Sequence, residues 1–177
     1  MAKQTFNVDK THTSVDFSVR HMMVSKVKGT FHEFDAKLAA DPADFTTADI
    51  EFIVDVNSID TRNEDRDNHL RTGDFFEVEK HPKMTFKSTE IKKAGDDEYD
   101  VTGDLTIRGT TNTETFKVTF EGSGKDPWGN QVYGFSAEGK VARSNYGLTY
   151  NAALETGGVL IGDDIKISIE LEATTEA

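Results

Sequence analysis

Apolar side chains recur at every second position along most of this 177-residue chain. That period places them on one face of a β-strand and fits no helix. Val15, Phe17 and Val19 alternate with Asp16, Ser18 and Arg20; Phe34, Ala36 and Leu38 share a parity; Ile50, Phe52, Val54 and Val56 oppose Asp49, Glu51, Asp55 and Asn57. Met84 and Phe86, then Tyr99 to Ile107, Phe116 to Phe120, Tyr133 to Val141 and Ile165 to Leu171 repeat the pattern. With a short first strand near Phe6 and Val8, eight or nine strands are expected.

Turn residues separate these runs: Ala94-Gly95-Asp96-Asp97, Arg108-Gly109-Thr110 and a longer loop from Gly122 to Gly129. Joins this short make neighbours antiparallel, and regularly spaced strands with one apolar face form a sandwich or a barrel. Gly29 and Gly103 lie inside strand runs and suggest bulges or bends of the kind that close a barrel. Gly122-Ser-Gly124 and Gly157-Gly158 read as turns.

One segment departs from period two. Thr61-Arg-Asn-Glu64 has the spacing of a capping box, so a helix is expected over 62–72, with Gly73 ending it. Leu70 is its single large apolar residue, so it must lean on the rest of the fold. Phe75 and Phe76 would anchor it.

The chain carries 20 Lys+Arg against 32 Asp+Glu, a net charge of −12. Such a surface repels nucleic-acid phosphate and anionic headgroups, so no nucleic-acid partner is expected. The absence of cysteine excludes disulfides, thiol catalysis and thiolate metal sites. No stretch reaches the length of apolar residues that a membrane span needs. The first residues, Met1-Ala-Lys-Gln-Thr-Phe, lack the apolar core of a secretory signal, so a cytoplasmic protein is expected, unless a signal was removed.

The inward-facing set is Phe17, Val19, Phe34, Ala36, Phe52, Val54, Phe86, Leu105, Phe116, Val118, Phe120, Phe135, Ala137 and Ile167. An eight-stranded barrel either packs solid or holds one ligand. Small inward members (Ala36, Gly103, Ala137, Gly139) would leave room for an oily chain, whose buried methylenes contribute about 0.8 kcal/mol each. Alternation alone fits a filled core better than a cavity, since it occurs in every half-buried sheet.

Several segments resemble the YceI family of polyisoprenoid-binding, lipocalin-like proteins. They are Asp9–Met22, Val27–Phe31, Arg62–Arg71 running into Asp74-Phe-Phe76, Gly103–Gly109, Arg143–Leu148 and Gly157–Gly162, in family order over nearly the whole chain. The resemblance implies an all-β fold: an extended eight-stranded antiparallel barrel with a helix near one end, as one domain over 1–177. It also implies a bound isoprenoid quinone or polyprenyl lipid, no required cofactor, and a homodimer. Many members of that family are exported, from which this chain's start departs.

Arg20, His21, Asp67, His69, Arg71 and Arg143 match the family's polar signature. Near a pocket mouth they would grip a polar headgroup. The competing reading is a network that pins the helix across the barrel end, with Asp67 paired to Arg20 or Arg143. The five histidines (His12, His21, His32, His69, His81) show no metal-ligand spacing, and no metal site is expected. No Gly-x-Ser-x-Gly elbow, phosphate loop or distinctive carboxylate pair appears, so no catalytic residue is expected. The expected function is non-catalytic lipid binding, storage or transport. A stress-related scaffold and an enzyme acting on a sequestered lipid are the alternatives. Trp128 is expected to pack its loop onto the body rather than act as a lid.

Overall fold

The computed structural model describes residues 3–151 and 160–175. Eleven strands form one antiparallel sheet: β1 (Gln4–Val8), β2 (Ser14–His21), β3 (Ser25–Phe31), β4 (Phe34–Asp41), β5 (Asp44–Asp55), β6 (Ile59–Asp60), β7 (Lys83–Gly95), β8 (Glu98–Ile107), β9 (Thr110–Lys125), β10 (Gln131–Ala142) and β11 (Ile161–Thr175). The order is β1-β4-β5-β7-β8-β9-β10-β11-β2-β3-β6, and β1 also pairs with β11, which closes the wall.

The eleven strands occupy eight places. β1 and β2 both lie against β11, with Val8 opposite Ala173 and Val15 opposite Ile169. They are two halves of one long strand bent at the Asp9–Thr13 turn. β3 with β4, and β5 with β6, are likewise halves of bent strands. The bends of the second and third long strands lie side by side: the His32 amide donates to the Ser58 carbonyl (3.3 Å) and the Asp55 amide to the Glu33 carbonyl (2.9 Å). The product is the closed, up-and-down eight-stranded barrel that the alternation and the resemblance led us to expect. Closure removes the sheet edges that would otherwise pair with other chains.

The helix forms, with different caps. α1 spans Glu64–Leu70, and its N-cap is Asn63, whose side chain accepts from the Arg66 amide at 3.0 Å. Arg62 has a positive φ of 64°. This left-handed residue turns the chain after β6 and starts the helix two residues later than the Thr61 capping box would. Gly73 does not end it in the left-handed conformation either. Arg71 caps it in the right-handed region, and the left-handed residue further on is Glu77.

Two glycine expectations also change. Gly29 sits in regular register opposite Phe17. A register shift does fall beside Gly103, between Ser88 and Glu90 on β7. Gly122-Ser-Gly124 is not a turn but part of β9, with Gly122 opposite Gly134. Gly157 and Gly158 lie outside the described residues.

The main buried cluster runs along the barrel axis and includes Val15, Phe31, Phe52, Val54, Phe86, Leu105, Phe116, Val141 and Tyr146. A smaller one, Phe6, Leu38, Ala40 and Ala173, closes the opposite end from the helix. At that far end lie the turns β4–β5, β7–β8 and β9–β10. At the helix end lie α1, the β2–β3 and β8–β9 turns, and a 3₁₀ turn over Arg143–Tyr146.

Candidate functional site

Two apolar cavities lie inside the barrel. The far chamber, about 130 Å³, is lined by Ala36, Ile50, Phe52, Val54, Phe86, Val101, Leu105, Phe116, Val118, Phe135 and Ala137, among others. The chamber at the helix end, about 110 Å³, is lined by Phe17, Val19, Phe31, Leu70, Phe75, Phe76, Ile107, Val141, Leu148, Ile161 and Ile165. Val15, Met84 and Ile167 belong to both as shared walls.

Most of the inward set named from the sequence therefore lines a chamber, but two members do not. Phe34 packs against the main core cluster without lining either chamber. Phe120 stacks instead in an aromatic group with Phe45, Tyr133 and Phe135. Of the small residues, Ala36 and Ala137 border the far chamber, but the glycines act differently from expectation. The Phe116 ring covers Gly139, the Phe86 ring covers Gly103, and Phe17 covers Gly29. These glycines hold rings, and the space that remains is bounded by Ala36, Ala48 and Ala137.

Phe45, missed by the period-two reading because it sits beside the β4–β5 turn, closes the far chamber. Its ring centroid lies 5.1 Å from Phe120, 5.2 Å from Phe135, 6.1 Å from Tyr99 and 6.3 Å from Tyr133. Edge-to-face pairs of this kind each contribute roughly 0.5–1.5 kcal/mol beyond burial.

The polar signature separates into three groups. Asp67 and Arg71 pin the helix. Asp67, buried, accepts from the Thr61 amide (2.9 Å) and the Thr61 hydroxyl (2.5 Å), not from Arg20 or Arg143. Arg71 donates to the carbonyls of Asn57 (3.2 Å) and Ile59 (3.1 Å), and Arg66 donates to Thr61. His69 Nε2 meets Asp74 at 2.8 Å, with its ring edge-on to Phe75 and Tyr150.

Arg143 stands apart, buried and lining the helix-end chamber. Its guanidinium donates to the carbonyls of Leu148 (2.6 Å), Gly162 (2.9 Å) and Ile161 (3.4 Å). Burial lowers its pKa, while Asp163 raises it. Arg20 and His21 form the third group, on the β2–β3 hairpin outside both chambers.

Tyr146, also missed, is fully buried, and its hydroxyl donates to Glu114 at 2.6 Å. Burial and the Glu114 carboxylate push its pKa up. Its signal in the sequence was its place in the Arg143–Leu148 motif. Trp128 does not pack its loop down: it is 83% exposed. Among the described residues one cluster has metal-ligand spacing, Asp9, His12 and Glu172. There His12 already lies 2.8 Å from Asp9 and 3.2 Å from Glu172. No described helix is long and apolar enough to cross a membrane.

A model of the YceI-like domain matches residues 6–173. The chain belongs to the YceI family. A UPF0312 protein of Staphylococcus epidermidis is 48% identical over 94% of this chain and 95% of its own length, and one of Staphylococcus aureus is 45% identical over the same shares. Among solved structures, Burkholderia cenocepacia BcnA superposes with a TM-score of 0.82 at 26% identity, covering 94% of this chain and 99% of that one. A Campylobacter jejuni YceI protein superposes with a TM-score of 0.78 at 32% identity, covering 89% and 90%. A polyisoprenoid binding domain from Saccharophagus degradans shares the fold, with a TM-score of 0.65 at 12% identity over 95% of this chain and 97% of that one.

Proposed function

We propose that this YceI-family barrel is a non-catalytic carrier. It holds the chain of an isoprenoid-type lipid, a quinone or polyprenyl, in the paired chambers. The observation that carries the reading is the chambers themselves: two apolar spaces inside one barrel that share Val15, Met84 and Ile167 as walls. Met84, unbranched and with three rotatable bonds, is the shared residue best able to yield to a threaded chain. The Saccharophagus domain, described as polyisoprenoid binding, supports the choice of ligand class.

The magnitudes are consistent with a carrier. Micromolar affinity needs about 8 kcal/mol, and each buried methylene supplies about 0.8 kcal/mol. About ten buried carbons reach that figure, and the cost of immobilising the ligand raises the requirement to on the order of fifteen to twenty. That is three or four isoprene units. Among the described residues Arg143 commits three of its N–H donors to carbonyls, so the wall it helps to form at the helix end is apolar, as an isoprenoid chain requires.

Native mass spectrometry of protein from its own host, with organic extraction, tests this. The expected result is a stoichiometric prenyl lipid whose binding is weakened by Ala137→Leu. Protein that is consistently empty, and that takes up no prenyl quinone at micromolar concentration, overturns it.

A further inference from the structure

The net charge of −12 conceals a basic face. Antiparallel register brings Lys140 of β10 opposite Lys166 of β11, Lys166 opposite Ser18 of β2, and Ser18 opposite Lys28 of β3. One step toward the hairpin, Arg20 lies opposite Lys26. Lys26, Lys28 and Lys166 share an outer groove with Arg62, Asp16 and Asp60. All six cations are exposed, and none forms an ion pair among the described residues. Of the acids in that groove, Asp60 is engaged by His32 and by the Arg62 amide.

The hairpin that carries this face ends in an apolar tip. Met22, Met23 and Val24 are 44%, 59% and 81% exposed. The Val24 amide donates to the His21 carbonyl, and both central residues have positive φ, 52° and 61°. A turn of that hand strongly favours Asn-Gly. Two methionines in the left-handed region are strained, and strain of this kind gathers at functional positions. The same tip touches the cavity's end: the Met22 amide donates to Leu160, and the adjacent Ile161 lines the helix-end chamber.

We propose that the β2–β3 hairpin docks this protein on an anionic lipid bilayer. Met22, Met23 and Val24 enter the headgroup boundary, and Arg20, Lys26, Lys28 and Lys166 face the lipid phosphates. Charge complementarity selects this occupant. The row from Lys140 to Lys28 spans three strand spacings, about 14 Å. At physiological salt, charges beyond about 8 Å are largely screened, so the acids on the far walls of the barrel weaken this face little, while Asp16 and Asp60 in the groove offset part of its charge. An apolar tip flanked by cations suits a bilayer, where a nucleic acid would use the cations alone. The inference does not depend on the carrier reading, because an empty barrel would dock equally well.

Co-sedimentation of the full chain with phosphatidylcholine vesicles, with and without about one third phosphatidylglycerol, tests it. The expected result is binding to the anionic vesicles alone, weakened by added salt. Lys28→Ser and Lys166→Ser should each weaken it about fivefold. The double variant Met22→Asn/Met23→Gly supplies the residues its turn favours, keeps the hairpin, and should lose most of the binding. Equal sedimentation with both vesicle types at low salt overturns the proposal, as does undiminished binding by either set of variants with an unchanged circular dichroism spectrum. Prenyl-lipid uptake measured on the same variants reports separately on the carrier function.

Discussion

The Phe116 ring on β9 lies so close over Gly139 on β10 that a Cβ at Gly139 would stand 2.5 Å from ring carbon Cδ1. The glycine is the floor on which the ring rests, and the ring in turn bounds the far chamber. Gly139→Ala forces Phe116 off that floor. Overpacking of this kind costs about 1–3 kcal/mol, and urea unfolding should show that loss as a lower midpoint at unchanged slope. Ala137→Leu faces the open chamber instead and should unfold at or above the wild-type midpoint. A Gly139→Ala protein as stable as wild type would show that the ring is free to move aside.

Asp67 and Thr61 hold α1 against the barrel. Asp67→Ala leaves the buried Thr61 amide without its acceptor, and a buried unsatisfied group costs about 1–3 kcal/mol. Asp67→Asn keeps an acceptor oxygen and should cost less. Hydrogen exchange should show the amides of 66–72 losing protection in the alanine variant while those of β7 to β10 keep theirs. Uniform loss across the barrel would mean that the helix is not a separately held unit.

Phe45 plugs the end of the cavity away from the helix. Phe45→Ala removes its ring from contact with four aromatic side chains and should destabilise the fold by about 3 kcal/mol, the low end for such a truncation, since the residue is only half-buried. It should also speed release of a bound prenyl quinone, measured by stopped-flow transfer to acceptor vesicles. Unchanged release would place the exit at the helix end.

His12 bridges the β1–β2 turn to β11. Its pKa is raised above the ordinary histidine value by its hydrogen bond with Asp9, helped by the nearby Glu172 charge. Asp9 is held well below the usual carboxylate range, first by the Thr11 hydroxyl and then by His12. The histidine's contribution to stability is complete below its unfolded pKa, near 6.5, and fades as pH rises through the higher folded value; the aspartate's is complete above about 4 and fades as pH falls. Proton NMR titration should find the His12 midpoint above that of an unfolded-chain histidine. A midpoint at or below that reference would mean that the bridge does not hold in solution.

Most strands showed themselves through alternation, because a sheet with one dry face forces period two on its residues; β3, with Lys26 and Lys28 around Val27 and Gly29, and the two-residue β6 were too weakly patterned to do so. The inward face at Phe17, Phe52, Phe86 and Phe116 was legible for the same reason. Phe45 was not, since it lies beside a turn, where no run of alternation reaches it. The helix was legible as a break in period two after a capping signal, but both of its caps differ from that signal. Thr61 and Asn63 both suit an N-cap, and the backbone turn at Arg62 chose between them.

Composition and local pattern determined an all-β chain without thiol chemistry and with an aromatic-rich interior, because those follow from which residues are present and how they alternate. What only tertiary structure decided were relationships across strands. Rings lie over glycines far away in sequence, two chambers remain where those rings do not reach, and Asp67 is committed to Thr61. The basic face is the clearest case. Lys28, Lys140 and Lys166 are scattered among many acids along the chain, and the register of a closed sheet makes them neighbours. A sequence fixes which side of its own strand a residue takes, but pairing between strands fixes what stands beside it.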